Sequence, residues 1–215
     1  VAKLKRMLYG MRDSGRKWMQ LLDAFFRSIG ANPTVSDAMV YNWSFNGFEA
    51  RIAVHVDDIL VSCADPSVHV ELSRLLRDRF GESRVTEEPT TFLLGMSVLH
   101  DREERQVVLS QAAYTRKLLA AFGIDGNARS ATTPLPPDPV FKKFEGTASP
   151  EDSYRMMVLC GGLQWLQTCT RPDIAFATNM LARYASNPSP EHIACGNRVL
   201  RYLSGTVEMG ITYHG

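Results

Sequence analysis

A chain of 215 residues, 45% hydrophobic and 22% charged, can bury a substantial core as one large domain or two small ones. Its formal net charge of +1 excludes a strongly polycationic or polyanionic protein, and no apolar run of about 18 residues is present to span a bilayer. Four scattered cysteines, Cys63, Cys160, Cys169 and Cys195, form no C-x-x-C pair and follow no signal peptide. They fit reduced, buried thiols in an intracellular protein that is not secreted.

Charge is unevenly spread. Lys3, Lys5, Arg6, Arg12, Arg16 and Lys17 stand against one acid, Asp13, in the first seventeen residues. Such a cluster suits phosphate contacts and equally a solvated surface. The chain begins without Met and is motif-like from the start, so it is expected to be a piece of something longer.

The first helix is expected over 14–30. Trp18, Leu21, Leu22, Phe25, Phe26 and Ile29 share one face, Asp13 or Ser14 can cap the start, and Gly30 stops it. The period then changes to two. Met39 to Phe45 reads as a strand, Asn46-Gly47 as a hairpin turn, and Phe48 to Val56 as the return strand. A third strand follows at Ile59 to Cys63, and Asp65-Pro66 starts a helix running from Ser67 to Phe80. Thr91 to His100 and Arg105 to Ser110 read as another hairpin, followed by a helix from Gln111 to Phe122.

Residues 125–150 hold Pro134, Pro136, Pro137, Pro139 and Pro150 among polar residues and read as a linker or extended arm. Helices are expected from Ser153 to Thr168, Pro172 to Ala185 and Pro190 to Leu203, with a last strand from Met209 to Tyr213. Cys160-Gly161-Gly162 reads as close helix packing. The fold class is α+β.

The chemistry centres on Asp57 and Asp58. Two apolar runs, Ile52 to Val56 and Ile59 to Val61, meet at this pair, which is expected at a tight turn between strands. Adjacent like charges ask for a cation; a solvated Asp-Asp turn is the other reading.

V-D-D between apolar strands resembles the Y-[VIM]-D-D signature of reverse transcriptases, and the whole chain is similar to the copia-type retrotransposon family. K-R-M-L-Y-G-M-R-D-S-G-R-K-W at 5–18, F-L-L-G-M at 92–96, T-R-P-D-I at 170–174 and R-V-L-R-Y-L-S-G-T at 198–206 resemble further family landmarks in the same order. The resemblance implies an RNA-directed DNA polymerase, a nucleotidyltransferase with an antiparallel palm-type sheet and packed helices, then a mainly helical thumb and connection half. It places a partial fingers and palm region with the primer-grip hairpin at 1–110, a thumb helix and linker at 111–150, and a connection region at 151–215.

The same resemblance makes Asp57 and Asp58 catalytic ligands for Mg2+, with Mn2+ as the alternative, because hard cations take oxygen donors. Asp57 is the main ligand and Asp58 its less direct companion. Tyr9 and Gly10 would line the floor under nucleotide and template base; Arg12, Arg16 and Lys17 would face the template backbone. Gly95 and Met96 would grip the primer, although a hairpin glycine is as often a bulge.

His55 stands where the family has Tyr and can stack or donate; a packed strand neighbour and a metal ligand are its other readings. Asp13 and Gly15 replace the family's Gln and Pro. The implied partners are RNA or DNA template and primer, deoxynucleoside triphosphates, and the integrase and RNase H of a parent polyprotein, with no membrane. A third carboxylate of the family belongs to a strand before the Y-G motif, and that strand, the N-terminal fingers and RNase H are expected to lie outside these residues. The isolated chain is therefore expected to be weakly active or inactive. The alternative is a decayed or co-opted fragment that binds nucleic acid or protein without catalysis.

Overall fold

The computed structural model describes residues 10–124, 129–139 and 141–215. The chain divides into two compact units, Val1–Pro89 and Thr90–Gly215. Among the described residues no helix is long and apolar enough to cross a membrane.

The first unit lays two helices on one face of an antiparallel sheet. Helix α1 (Ser14–Ser28) leads into strands β1 (Asn32–Pro33), β2 (Val40–Phe45), β3 (Phe48–His55) and β4 (Asp58–Cys63), which lie in that spatial order, and α2 (Pro66–Phe80) follows. Period-two alternation decides which side is covered. Tyr41, Trp43, Ala50, Ile52 and Val54 turn inward against Leu22, Phe25 and Phe26 of α1 and Val68, Leu72 and Leu76 of α2. Asn42, Ser44, Glu49, Arg51 and Ser62 turn outward and stay exposed.

Local chemistry sets the boundaries. Helix α1 closes at Gly30 (φ +84), whose N–H donates to Arg27 O while Ala31 N–H donates to Phe26 O, the two bonds of a Schellman motif. Of the two residues expected to cap its start, Asp13 occupies the N-cap position but makes no side-chain cap: its φ −95° and ψ −2° are already near-helical, whereas a capping residue is extended. Asn46 (φ +52) and Gly47 (φ +82) turn β2 into β3 as expected. Asp65 caps α2 by accepting from Ser67 N–H at 2.8 Å. Strand β1, an edge piece of two residues, was too short to register in the periodicity.

The second unit holds a four-stranded antiparallel sheet and a helical core. Strands β5 (Phe92–Leu93), β6 (Met96–Asp101) and β7 (Gln106–Ser110) are followed by α3 (Ala112–Ala121), α4 (Pro150–Cys169), a 3-10 turn (Pro172–Ile174), α5 (Ala175–Ala182), α6 (Pro190–Gly205) and β8 (Gly210–His214). The last strand returns to pair with β7. The hairpin expected within a domain of residues 1–110 is therefore built into the second unit, with a partner from the far end of the chain.

Residues 91–100 also differ from expectation. They are broken by a two-residue turn, Leu94 (φ +48) and Gly95 (φ +81), with Leu93 and Met96 paired across it. A continuous apolar run hides such a turn, because nothing announces a leucine in the left-handed region.

Leu118, Leu119, Leu163, Leu166, Ile174, Leu181, Val199, Leu200 and Leu203 form the helical core. Gly162 lets α4 approach α3, since a Cβ there would sit 2.7 Å from Leu118 Cδ1, whereas Gly161 faces open space, so the close packing expected of the pair rests on Gly162 alone. Two landmarks distant in sequence bind each other. Arg171, 1% exposed, donates from Nε and Nη2 to the Asp173 carboxylate, from Nη1 to Thr206 O at 2.8 Å and from Nη2 to Thr206 Oγ1 at 2.7 Å. Tyr202 OH donates to the same carboxylate at 2.9 Å.

The Pro-rich stretch has no helix or strand among its described residues until Pro150, which opens α4, yet it is tied down. Asn187 accepts from Ala148 N–H and donates to Phe144 O and Gly146 O, and Phe141 stacks on Tyr184 and His192.

Candidate active site

Strand β3 ends at His55 and β4 begins at Asp58, with His55 and Asp58 paired across the ladder. The turn is thus Val56-Asp57, one residue earlier than an Asp57-Asp58 corner: Asp57 sits in the loop and Asp58 opens the next strand. A two-residue hairpin loop follows the strands' right-handed twist only if its first residue takes positive φ. Val56 occupies that position at φ +54. For a β-branched residue this is an outlier costing on the order of 1–3 kcal/mol.

The loop is hydrogen-bonded by a side chain from outside the hairpin. The Trp18 indole N–H donates to Val56 O at 2.8 Å. Trp18 meets Phe80 edge to face at 5.4 Å, and Phe80 meets Phe25 in the same way at 5.4 Å, so a chain of rings runs from the core of the first unit to the turn. The bond sets the hairpin end against the first turns of α1, which carry Arg16 and Lys17.

Asp57 and Asp58 are both exposed. Neither carboxylate has a hydrogen bond or ion pair to any described residue. His55 is also exposed, which removes the reading of it as a packed strand neighbour. Cross-strand partners share a face, so His55 and Asp58 stand on the open side of the sheet, away from the helices.

Arg12, Arg16 and Lys17 are exposed and, among the described residues, unpaired. Gly10, at φ +85 with open space where a Cβ would point, makes the bend into α1 in a conformation that glycine adopts without cost. Tyr9 lies outside the described residues. Gly95 and Met96 belong to the second unit, where Gly95 is the second residue of the Leu94–Gly95 turn and Met96 the first of β6. The hairpin end therefore unites His55, Asp57 and Asp58 with the start of α1.

For a metal, the donor type fits: two adjacent carboxylates, free of cationic partners, are hard oxygen ligands. The donor number is small, since no group of three or more His, Cys, Asp or Glu suited to a metal occurs among the described residues. A cavity of about 510 Å3 opens on the same sheet between Asn42, Glu49, Arg51 and Ser62, toward the opposite end of the strands, and none of the carboxylates of the turn lines it.

The reverse transcriptase (RNA-dependent DNA polymerase) family matches residues 1–137, which include this hairpin. The chain belongs to that family. The copia-type resemblance is borne out by retrovirus-related Pol polyproteins of plant transposons that match nearly the whole chain. It is 34% identical over 212 residues to the retrovirus-related Pol polyprotein from transposon RE1 of Arabidopsis thaliana, covering 98% of the chain and 14% of the relative. It is 32% identical over 213 residues to the corresponding polyprotein from transposon TNT 1-94 of Nicotiana tabacum, covering 96% and 16%. The chain thus spans about one-seventh to one-sixth of the length of these polyproteins. No solved structure matches it.

Two features of this reverse transcriptase segment escaped sequence reasoning: the strain at Val56 and the Trp18 bond that meets it. An indole N–H normally seeks a partner when its ring is packed, but the helical spacing of Trp18 pointed only to core packing.

Proposed function

We propose that this chain is part of a retrotransposon Pol polyprotein and contributes the palm-type sheet of an RNA-directed DNA polymerase, with Asp57 and Asp58 as ligands for Mg2+ (Mn2+ as the alternative). The observation that carries the reading is the strained Val56 turn, which presents two unpaired carboxylates beside a basic helix start. Two divalent ions, when bound, neutralise charge on the triphosphate and favour attack by the primer 3′-hydroxyl.

The remaining roles fall to the chain itself. Asp57, in the loop, offers its oxygens at the hairpin tip, and Asp58 offers its own from the open face. His55 lies beside Asp58 as a stacking or donating neighbour for a primer terminus. Arg12, Arg16 and Lys17 supply cationic donors for template phosphates, and Gly10 lets backbone approach a base or nucleotide closely. The Leu94–Gly95 turn and Met96 are proposed to touch the primer. Template, primer and deoxynucleoside triphosphates are the proposed ligands, the remaining polyprotein with its integrase and RNase H the proposed assembly, and an intracellular compartment the proposed location.

Primer extension on an RNA template by the polymerase that carries this chain tests the reading. Asp57→Asn is expected to lower the rate by at least about 1000-fold, equivalent to about 4 kcal/mol of transition-state stabilisation. Extension within tenfold of the unsubstituted enzyme would refute the assignment of Asp57.

A further inference from the structure

We propose that Trp18 is a positioning residue for the carboxylate turn: its indole N–H anchors the Val56 carbonyl and so fixes the peptide plane from which Asp57 presents its oxygens to a divalent cation. The inference rests on the metal reading above and adds a residue to it. Val56 departs from ordinary backbone geometry at φ +54, and such strain persists only where the surroundings over-determine it. The paired strands impose the sign of φ, and the 2.8 Å bond from Trp18 to Val56 O adds a second constraint, on the carbonyl, from 38 residues away. The indole is itself immobilised through Phe80 and Phe25, so the anchor is continuous with the core. Hairpin closure keeps φ of Val56 positive with or without the bond; without it the peptide plane between Val56 and Asp57 is free to turn, and Asp57 moves with it. Groups that orient a ligating carboxylate are felt in metal affinity even though they never touch the ion.

The test separates the N–H from the ring. Trp18→Phe keeps an aromatic edge against Phe80 and removes only the donor and the second ring. Val56→Gly removes the strain, because glycine takes positive φ at no steric cost. Mn2+ binding by the polymerase that carries this chain is followed by electron paramagnetic resonance, together with the unfolding midpoint, for wild type, Asp57→Asn, Trp18→Phe, Val56→Gly and the Trp18→Phe/Val56→Gly pair.

Trp18→Phe is expected to weaken Mn2+ binding about tenfold with the fold intact, and to cause no further loss in the Val56→Gly background. Unchanged binding by Trp18→Phe overturns the proposal. So does an equal loss in both backgrounds, or unfolding of Trp18→Phe, since either assigns the ring to packing alone. Wild-type binding by Asp57→Asn is a separate result: it removes the metal reading itself, and the proposal with it.

Discussion

Arg171→Met gives the sharpest test of how the second unit is held together. The guanidinium is 1% exposed and is spent on one carboxylate, one carbonyl and one hydroxyl. Met fills much of the same volume but leaves Asp173 with only the Tyr202 hydroxyl and leaves Thr206 O without its donor. Removing one partner of a buried pair costs about 3–5 kcal/mol, far more than the pair contributes over a hydrophobic substitute. The Asp173 side chain keeps 27% exposure, so water compensates part of the loss and the lower end, about 3 kcal/mol, applies. For a unit of this size that corresponds to a fall of about 10 °C in the unfolding midpoint. Thermal unfolding followed by circular dichroism reads the shift. Arg171→Met/Asp173→Asn should recover part of it, because the orphaned charge is gone. A fall under about 3 °C for Arg171→Met, or a double variant no better than the single, would refute the reasoning.

Three further outcomes are expected. Gly162→Val places its Cβ and methyls against Leu118, where a Cβ alone already lies at 2.7 Å; overpacking of this kind costs about 1–3 kcal/mol, and Leu118→Ala should relieve it in a urea titration. Burial lowers the His192 imidazole from its ordinary value, against the raising effect of Glu191, and its Nδ1 accepts from Ser189 N–H at 3.1 Å. A depressed histidine favours the neutral form on folding, so its stabilisation is complete above the unfolded value near 6.5 and is lost as pH falls below it; His192→Asn should flatten that slope in midpoints measured from pH 8 to 5. Burial alone would raise the Asp173 carboxyl, but the Arg171 and Tyr202 hydrogen bonds hold it below the usual value. Its contribution is therefore present above about pH 4 and lost in stronger acid, and Asp173→Asn should remove that acid-limb loss in the same midpoint series.

What was legible in the sequence was local. Tyr41 and Trp43 alternate with Asn42 and Ser44, Asn46-Gly47 has one favoured turn, and Asp65-Pro66 has one favoured helix start; each signal lies within a few residues of the element it specifies. Gly30 likewise ended α1 where its positive φ was needed. The illegible parts are those whose partner lies far along the chain. Strand β8 is a short apolar run until β7 is beside it. T-R-P-D and Y-L-S-G-T could be noticed as landmarks but not as two halves of one hydrogen-bonded network. The Pro-rich stretch read as a linker because proline forbids regular structure, whereas Asn187 and Tyr184 decide that it is held.

The candidate site divides along the same line. Asp57 and Asp58 were found from adjacent residues, while the property that sets them apart from an ordinary Asp-Asp turn resides in Val56. A designer of a stable two-residue hairpin would place glycine or asparagine where φ must be positive, as Asn46 and Gly47 do ten residues earlier in the same sheet. Valine there sacrifices of the order of 1–3 kcal/mol and stiffens χ1, a combination that makes sense only if a fixed backbone next to Asp57 matters more than the stability of the turn. Were the turn merely a solvated corner, Val56→Gly should stabilise the unit by that amount with no consequence for cation binding. If instead the strained valine serves the carboxylates, the same substitution should raise the unfolding midpoint while altering how Mn2+ is held, and that divergence between stability and binding distinguishes a tuned site from a simple loop.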